Sequence, residues 1–195
     1  MLKDLRAAVV TLALFTLILG LGYPLLVTAI GGALFPRQAG GSLVRDAHGQ
    51  VIGSSLIAQG FSRPEYLHPR PSAAGNGYDP MSSGGSNLGP LDPKLIARVK
   101  ADAAAISKEN GGRPIPADAV TTSGSGLDPD ISPENARMQA ARVAASRGVA
   151  AQVVQAVIDA ETHQPLLGFI GQPTVNVLAV NRALDERYPM AHPKG

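Results

Sequence analysis

The sequence predicts an α+β protein: one N-terminal transmembrane helix, then a single extracytoplasmic domain with a small sheet and about four helices. Three observations carry this reading. No charged residue lies between Arg6 and Arg37, and a bilayer core of roughly 30 Å needs about 20 helical residues. Beyond that run about 160 residues remain, the size of one domain with its own core. Within them, helix start and stop signals alternate with short β-like runs. The expected organisation is residues 1–6 cytoplasmic, 7–30 spanning the membrane, 31–42 a hinge, and 43–195 the external domain.

The span, Ala7 to Ile30, contains Thr11, Thr16 and Thr28, whose hydroxyls can bond back to the carbonyl three or four residues earlier and hide their polarity. Pro24 is expected to bend it. Secretory h-regions run about 7–15 residues; this run is longer, so an uncleaved signal anchor is the expectation, against cleavage at Ala29-Ile30-Gly31. Lys3, Arg6 and the amino terminus face Arg37 and Arg45, and the positive-inside rule then puts the N-terminus inside and the bulk of the chain outside. Gly20 and Gly22, with Thr16 a turn earlier and Pro24 just beyond, offer a small-residue packing face for partner helices.

Gly31, Gly32, Gly40 and Gly41 flank Pro36 in the hinge. Leu43 to Asp46 and Gln50 to Gly53 around Ala47-His48-Gly49 read as a hairpin. From Phe61 to Pro90 the chain is rich in Pro, Gly, Ser and Asn, yet Tyr66, Leu67, Tyr78, Met81 and Leu88 recur, which marks a packed loop more than a linker. Asp92-Pro93 opens a helix ending at Asn110-Gly111, with Leu95, Ile96, Val99, Ala103 and Ile106 at helical spacing. Ala119 to Thr122 reads as a strand, and residues 123–133 as a rigid turn that feeds a helix capped by Ser132. Pro133 is then the first helical residue, Glu134 sits favourably on the dipole, and Gly148 is the stop. A further helix is expected over Val149 to Thr162, a strand over Leu166 to Ile170, and a last helix capped by Thr174 that carries Val177, Leu178, Val180 and Leu184 inward.

Composition narrows the chemistry. The formal charge is only +2, with bases scattered among acids, which argues against nucleic acid as a partner. The absence of cysteine excludes disulfides, thiolate metal sites and cysteine nucleophiles. Ser86 and Ser125 lie among glycines, but neither sits in a G-x-S-x-G frame and no S-x-x-K occurs. His48, His68, His163 and His192 are too far apart in sequence to form a helical metal pair. Asp128-x-Asp130-x-Ser132 imitates the opening of a calcium loop, but Pro133 stands where glycine is needed and Gln139 where a bidentate Glu is needed. Neither a catalytic nor a metal residue is therefore assigned. A membrane-anchored hydrolase lacks an identifiable general base, and a sensor module would need a cytoplasmic output that the segment before Ala7 is too short to supply.

Six stretches, in order, closely resemble one family: Gly53-Ser54 with Leu56, Ile57, Gln59 and Phe61; Arg70-Pro71-Ser72-Ala73; Ser83-Gly84-Gly85-Ser86-Asn87-Leu88-Gly89-Pro90; Ser123-Gly124-Ser125-Gly126-Leu127-Asp128-Pro129; Gln139 with Arg142-Val143-Ala144; and Val175-Asn176-Val177-Leu178. The resemblance is to the C subunit of the bacterial potassium-transporting ATPase, the KdpC family. The chain departs from the common pattern at Asp130 and Leu67, where the family usually has His and Phe. The resemblance implies a single-span subunit, without chemistry of its own, of an inner-membrane complex that hydrolyses ATP to import potassium. It implies as partners a channel-like potassium-translocating subunit, a P-type ATPase subunit and a small membrane peptide, besides lipid. No cofactor is expected on this chain; ATP and potassium belong to the complex. The family role is assembly, described also as catalytic chaperoning that raises the ATP affinity of the ATPase subunit. Within the motifs, Arg70, Pro71, Ser72, Ser83, Gly84, Gly85, Ser86, Asn87, Ser123, Gly124, Ser125, Gly126, Asp128, Pro129, Gln139, Arg142 and Asn176 are the candidate partner-contact or structural residues.

Overall fold

The protein is described by a computed structural model covering residues 2–46 and 48–190. Ala47 of the expected hairpin turn and His192 lie outside the described residues. The chain divides into two compact units, Met1–Val51 and Ile52–Gly195.

The first unit is dominated by a continuous helix, Leu2–Leu34, in which no residue is buried. It is α-helical over α1 (Leu2–Phe15), widens to a π-helix over Thr16–Gly22, and resumes as α2 (Tyr23–Leu34). Pro24 has no N–H to give and its ring crowds the carbonyl four residues back. The turn before it is wound wider, with the Tyr23 N–H reaching back to the Ile18 carbonyl. A π-bulge absorbs this conflict, and such bulges are an identifiable cause of local helix distortion. The expected glycine hinge is largely helical: α2 runs through Gly31 and Gly32, Phe35 breaks it with φ −132°, and a single turn, α3 (Pro36–Ala39), follows. Strands β1 (Leu43–Arg45) and β2 (Val51–Ser54) form a hairpin. Asp46 Oδ1 accepts from the His48 and Gln50 N–H groups in its turn.

In the second unit the helices are α4 (Pro93–Asn110), α5 (Pro133–Arg147), α6 (Ala151–Ala160) and α7 (Val177–Arg187). The expected caps stand where the sequence puts them: Asp92 accepts from the Lys94 N–H, Ser132 from the Asn135 N–H, and Gly111 and Gly148 end their helices in the left-handed conformation. Helices α5, α6 and α7 bury Ala136, Ala140, Val143, Ala144, Val154, Val157, Ile158, Val177, Val180 and Leu184 in one core, which Leu67 enters from the 61–90 loop at 0% exposure. That loop is therefore structural, although Met81 within it is 91% exposed. Helix α4 gives no apolar residue to this core, and Asn110 at its end is buried, its amide bonded to the Arg113 backbone.

A three-stranded antiparallel sheet, in the order β3 (Asp130–Ile131), β5 (Thr174–Asn176), β4 (Thr162–His163), closes the fold. Ile131 and Thr162 both pair with the central Val175. Three expectations are corrected here. Thr174 does not cap the last helix; the β-branched pair Thr174-Val175 is taken by the sheet, and Asn176 caps α7 by accepting from the Ala179 N–H. Ala119 to Thr122 is not a strand, because its carbonyls are spent on arginines: Arg98 bonds Val120 O, and Arg70 bonds Thr121 O and Thr122 O. Leu166 to Ile170 is not a strand either; it folds back on itself in a tight turn with Leu167 at φ +56° and Gly168 at +81°.

Candidate functional site

Helix α5 presents a row of polar side chains, Asn135, Gln139, Arg142 and the later Arg147, spaced three to five residues apart and so within one broad face. Gln139, Arg142 and Arg147, with Asn181 of α7, grip the segment 64–68, while Asn135 donates to Asp118 and accepts from Gln139. Asn181 bonds both sides of the Leu67 peptide, accepting from its N–H at 2.7 Å and donating to its carbonyl at 3.0 Å. Gln139 does the same for His68, at 2.8 and 3.0 Å, and also donates to Asn135. Arg142 donates to Pro64 O and Tyr66 O and pairs with Glu109 of α4 at 2.8 Å. Arg147, with a fully buried side chain, donates to Glu65 O and Tyr188 O and pairs with Asp185 at 2.8 Å, while its guanidinium lies over the Tyr66 ring. Apart from the Tyr66 N–H, which bonds Arg63 O, this irregular segment depends on these side chains for the partners that a strand neighbour would otherwise give.

The next residues clasp the 123–128 turn. Arg70 pairs with Asp128 at 3.0 Å. Ser72 donates to Gly126 O and accepts from the Ala74 and Tyr78 N–H groups. Ser83 and the Gly84 N–H both donate to Ser125 O. A Cβ on Gly126, at φ +67°, would stand 2.6 Å from Gly84 O and 2.7 Å from Ala74 N; one on Gly85 would stand 3.1 Å from Gly124 O. Gly124 itself meets nothing within 4 Å. Asn87 adopts φ +53° on the surface, and Ser86 is half-buried. Pro129 O accepts from the Val177 N–H, and Asn176 ties the cluster to Asp130 and Ser55 O. Thus Arg70, Ser72, Ser83, Gly84, Ser125, Gly126 and Asp128 meet in one clasp, Gln139 and Arg142 hold the adjoining segment, and Asn176 belongs to the sheet edge.

A cleft of about 330 Å³ opens between α4, α5 and the gripped segment, lined among others by His68, Pro71, Tyr78, Glu109, Gln139 and Arg142. Burial pushes the His68 imidazole below its usual range, and the Arg142 guanidinium adds to this. Burial likewise lowers Arg142 and raises the Tyr78 phenol, whose hydroxyl donates to Arg70 O. Ser125 Oγ accepts from the Leu127 N–H and lies 3.4 Å from Ser123 Oγ, an arrangement that shapes a turn. Among the described residues no group of three or more His, Asp or Glu is placed to hold a metal ion. Arg147, Asn181 and Asn135 were not singled out from the sequence. An arginine four residues past the buried Val143 falls on the core face and must be paired there, which is the one signal that could have found it.

In the first unit, Thr16, Gly20 and Gly22 fall in the π-helical turn and Pro24 just beyond it. The Cβ that Gly20 lacks would touch only the Thr16 methyl at 3.8 Å, and that of Gly22 only Leu17 O at 3.6 Å, so only the helix itself lies near either glycine.

A long apolar helix without a buried residue in one unit, and in the other a small α+β fold that spends polar side chains on its own loops, is the make-up of a membrane-anchored subunit of a larger assembly. The family model described as KdpC, K+-transporting ATPase, c chain, matches residues 5–186. The chain is 67% identical to the potassium-transporting ATPase KdpC subunit of Caulobacter vibrioides, over 97% of this chain and 96% of that one. It is 64% identical to that of Caulobacter sp. (strain K31) over the full length of both, and 53% identical to that of Myxococcus xanthus over 96% and 88%. The chain belongs to the KdpC family.

Proposed function

We propose that this chain is the single-span, non-catalytic subunit of an ATP-driven potassium importer of high affinity, holding together a channel-like subunit, a P-type ATPase subunit and a small membrane peptide. The observation that carries this reading is the helix Leu2–Leu34, without a charged residue from Ala7 on and without one buried residue. In water such a surface is not stable alone; it calls for lipid and for partner helices. The bulk of the chain lies outside the inner membrane and the N-terminus inside, as the charge flanking the span favours. From that side the domain does not reach nucleotide. It raises the ATP affinity of the ATPase subunit through coupled contacts, a linkage between two sites without shared ligand. Pairing of Arg70, Ser72, Ser83, Gln139, Arg142 and Asn176 with the chain's own backbone supports a scaffold over a reacting site.

Affinity purification of the tagged chain from native membranes tests this. Recovery of the three partner subunits with potassium-dependent ATP hydrolysis is the expected result, and the same activity within a few-fold for Ser86→Ala and Ser125→Ala. Recovery of the chain without them, or a loss of about 10³ in activity on removing either hydroxyl, the scale of a lost nucleophile, would overturn it.

A further inference from the structure

Single exposed apolar residues such as Leu56 and Met81 are ordinary on a protein surface. The turn 166–170 is different. Leu166, Leu167, Phe169 and Ile170 are 68, 76, 75 and 52% exposed, consecutive but for Gly168. No Asp, Glu, Lys or Arg occurs between Glu161 and Arg182, and from Pro165 to Gly171 no side chain can donate or accept a hydrogen bond. Three N–H groups of the tip are bonded within it: that of Gly168 to Pro165 O, and those of Phe169 and Ile170 to Leu166 O.

We propose that this turn is a membrane-interface anchor, its four apolar side chains seated among lipid headgroups and upper acyl chains. A protein partner would be met with a polar rim that makes hydrogen bonds around its aromatic anchor, and from Pro165 to Gly171 the tip has Phe169 but no side chain for such a rim. The acyl boundary asks for no side-chain polarity and penalises unbonded backbone N–H groups, and here those of residues 168, 169 and 170 are already bonded. Lipid is also within reach, because the same chain carries a membrane helix, and a covalent tether turns a weak contact into an effectively intramolecular one. The proposal rests in this respect on the membrane-anchored reading given above.

The chain has no tryptophan, so Phe169→Trp introduces a sole indole. The full-length variant is reconstituted into phosphatidylethanolamine–phosphatidylglycerol vesicles whose acyl chains are brominated near the headgroup or near the chain end, and flotation is followed in parallel. The expected result is strong quenching by the shallow bromines and weaker quenching by the deep ones, as for apolar faces buried about 5–10 Å into the interface. Leu166→Trp should behave alike, while Met81→Trp is quenched only by a water-soluble quencher. Indoles at 166 and 169 that stay open to the aqueous quencher while the protein floats with the vesicles would overturn the lipid anchor and leave the membrane helix standing. Protection that appears only when the partner subunits are present, without bromine quenching, would overturn it in favour of protein docking. Failure to float at all would remove both the tether and the proposal.

Discussion

Gly126 shows how a single hydrogen in place of a side chain supports the domain. Its φ of +67° is one that β-branched residues scarcely adopt, and its missing Cβ leaves room for Gly84 O and Ala74 N. Both neighbours are backbone, so neither can step aside. Gly126→Val should destabilise the domain by about 2–4 kcal/mol from strain and overlap together, read as a lower denaturation midpoint in detergent. Gly124→Ala, where no Cβ conflict arises, should cost less than half as much; equal losses would show that the clasp is not set by this contact. His68 gives a pH counterpart. Its Nε2 lies 3.1 Å from Arg63 O and 3.5 Å from Arg142 Nη1, and its backbone is held by Gln139. Burial keeps its folded-state pKa below the ordinary 6.5, despite Glu109 nearby. The unfolded chain therefore binds a proton that the folded chain refuses. Stability from this residue is complete above 6.5, and it is lost as pH falls below that value towards the folded pKa. Denaturation midpoints between about pH 8 and 5.5 should drop on acidification, and the drop should shrink in His68→Gln.

At the scale of elements, what was legible in the sequence had a local cause. The caps of α4 and α5 need only Asp92-Pro93 and Ser132-Pro133 and a glycine at the far end, and the inward faces of α5, α6 and α7 follow from the 3.6-residue period. What was not legible depends on distant residues. The segment 119–122 has strand-like side chains, but its carbonyls go to Arg70 and Arg98. The capping role moved from Thr174 to Asn176 because β3 and β4 claim the strand between them. The candidate site was legible as motifs and not as contacts: the polar face of α5 is visible in sequence, but its grip on residues 64–68 spans 71 to 82 positions along the chain. The membrane helix belongs to the same scale. Its π-helical turn opens Gly20 and Gly22 to neighbours, and helices in lipid associate through close packing of small residues. Replacing Ala7 to Ile30 by polyleucine of equal length should keep insertion and lower the yield of the assembled complex several-fold. Wild-type yield and activity would reduce the helix to an inert anchor.

For the molecule as a whole, the proposed role of this KdpC-family chain is to work by contact, from outside the membrane, and to leave the chemistry of ATP to its partners. Side of the membrane decides between that role and direct nucleotide binding, since a domain facing the periplasm does not meet cytoplasmic ATP. The chain contains no cysteine and Met81 is 91% exposed, so Met81→Cys places one accessible thiol on the domain without disturbing its core. In sealed cells expressing the whole complex, this thiol should react with a membrane-impermeant maleimide as readily before lysis as after it. Labelling that appears only after lysis would put the domain inside and contradict the account.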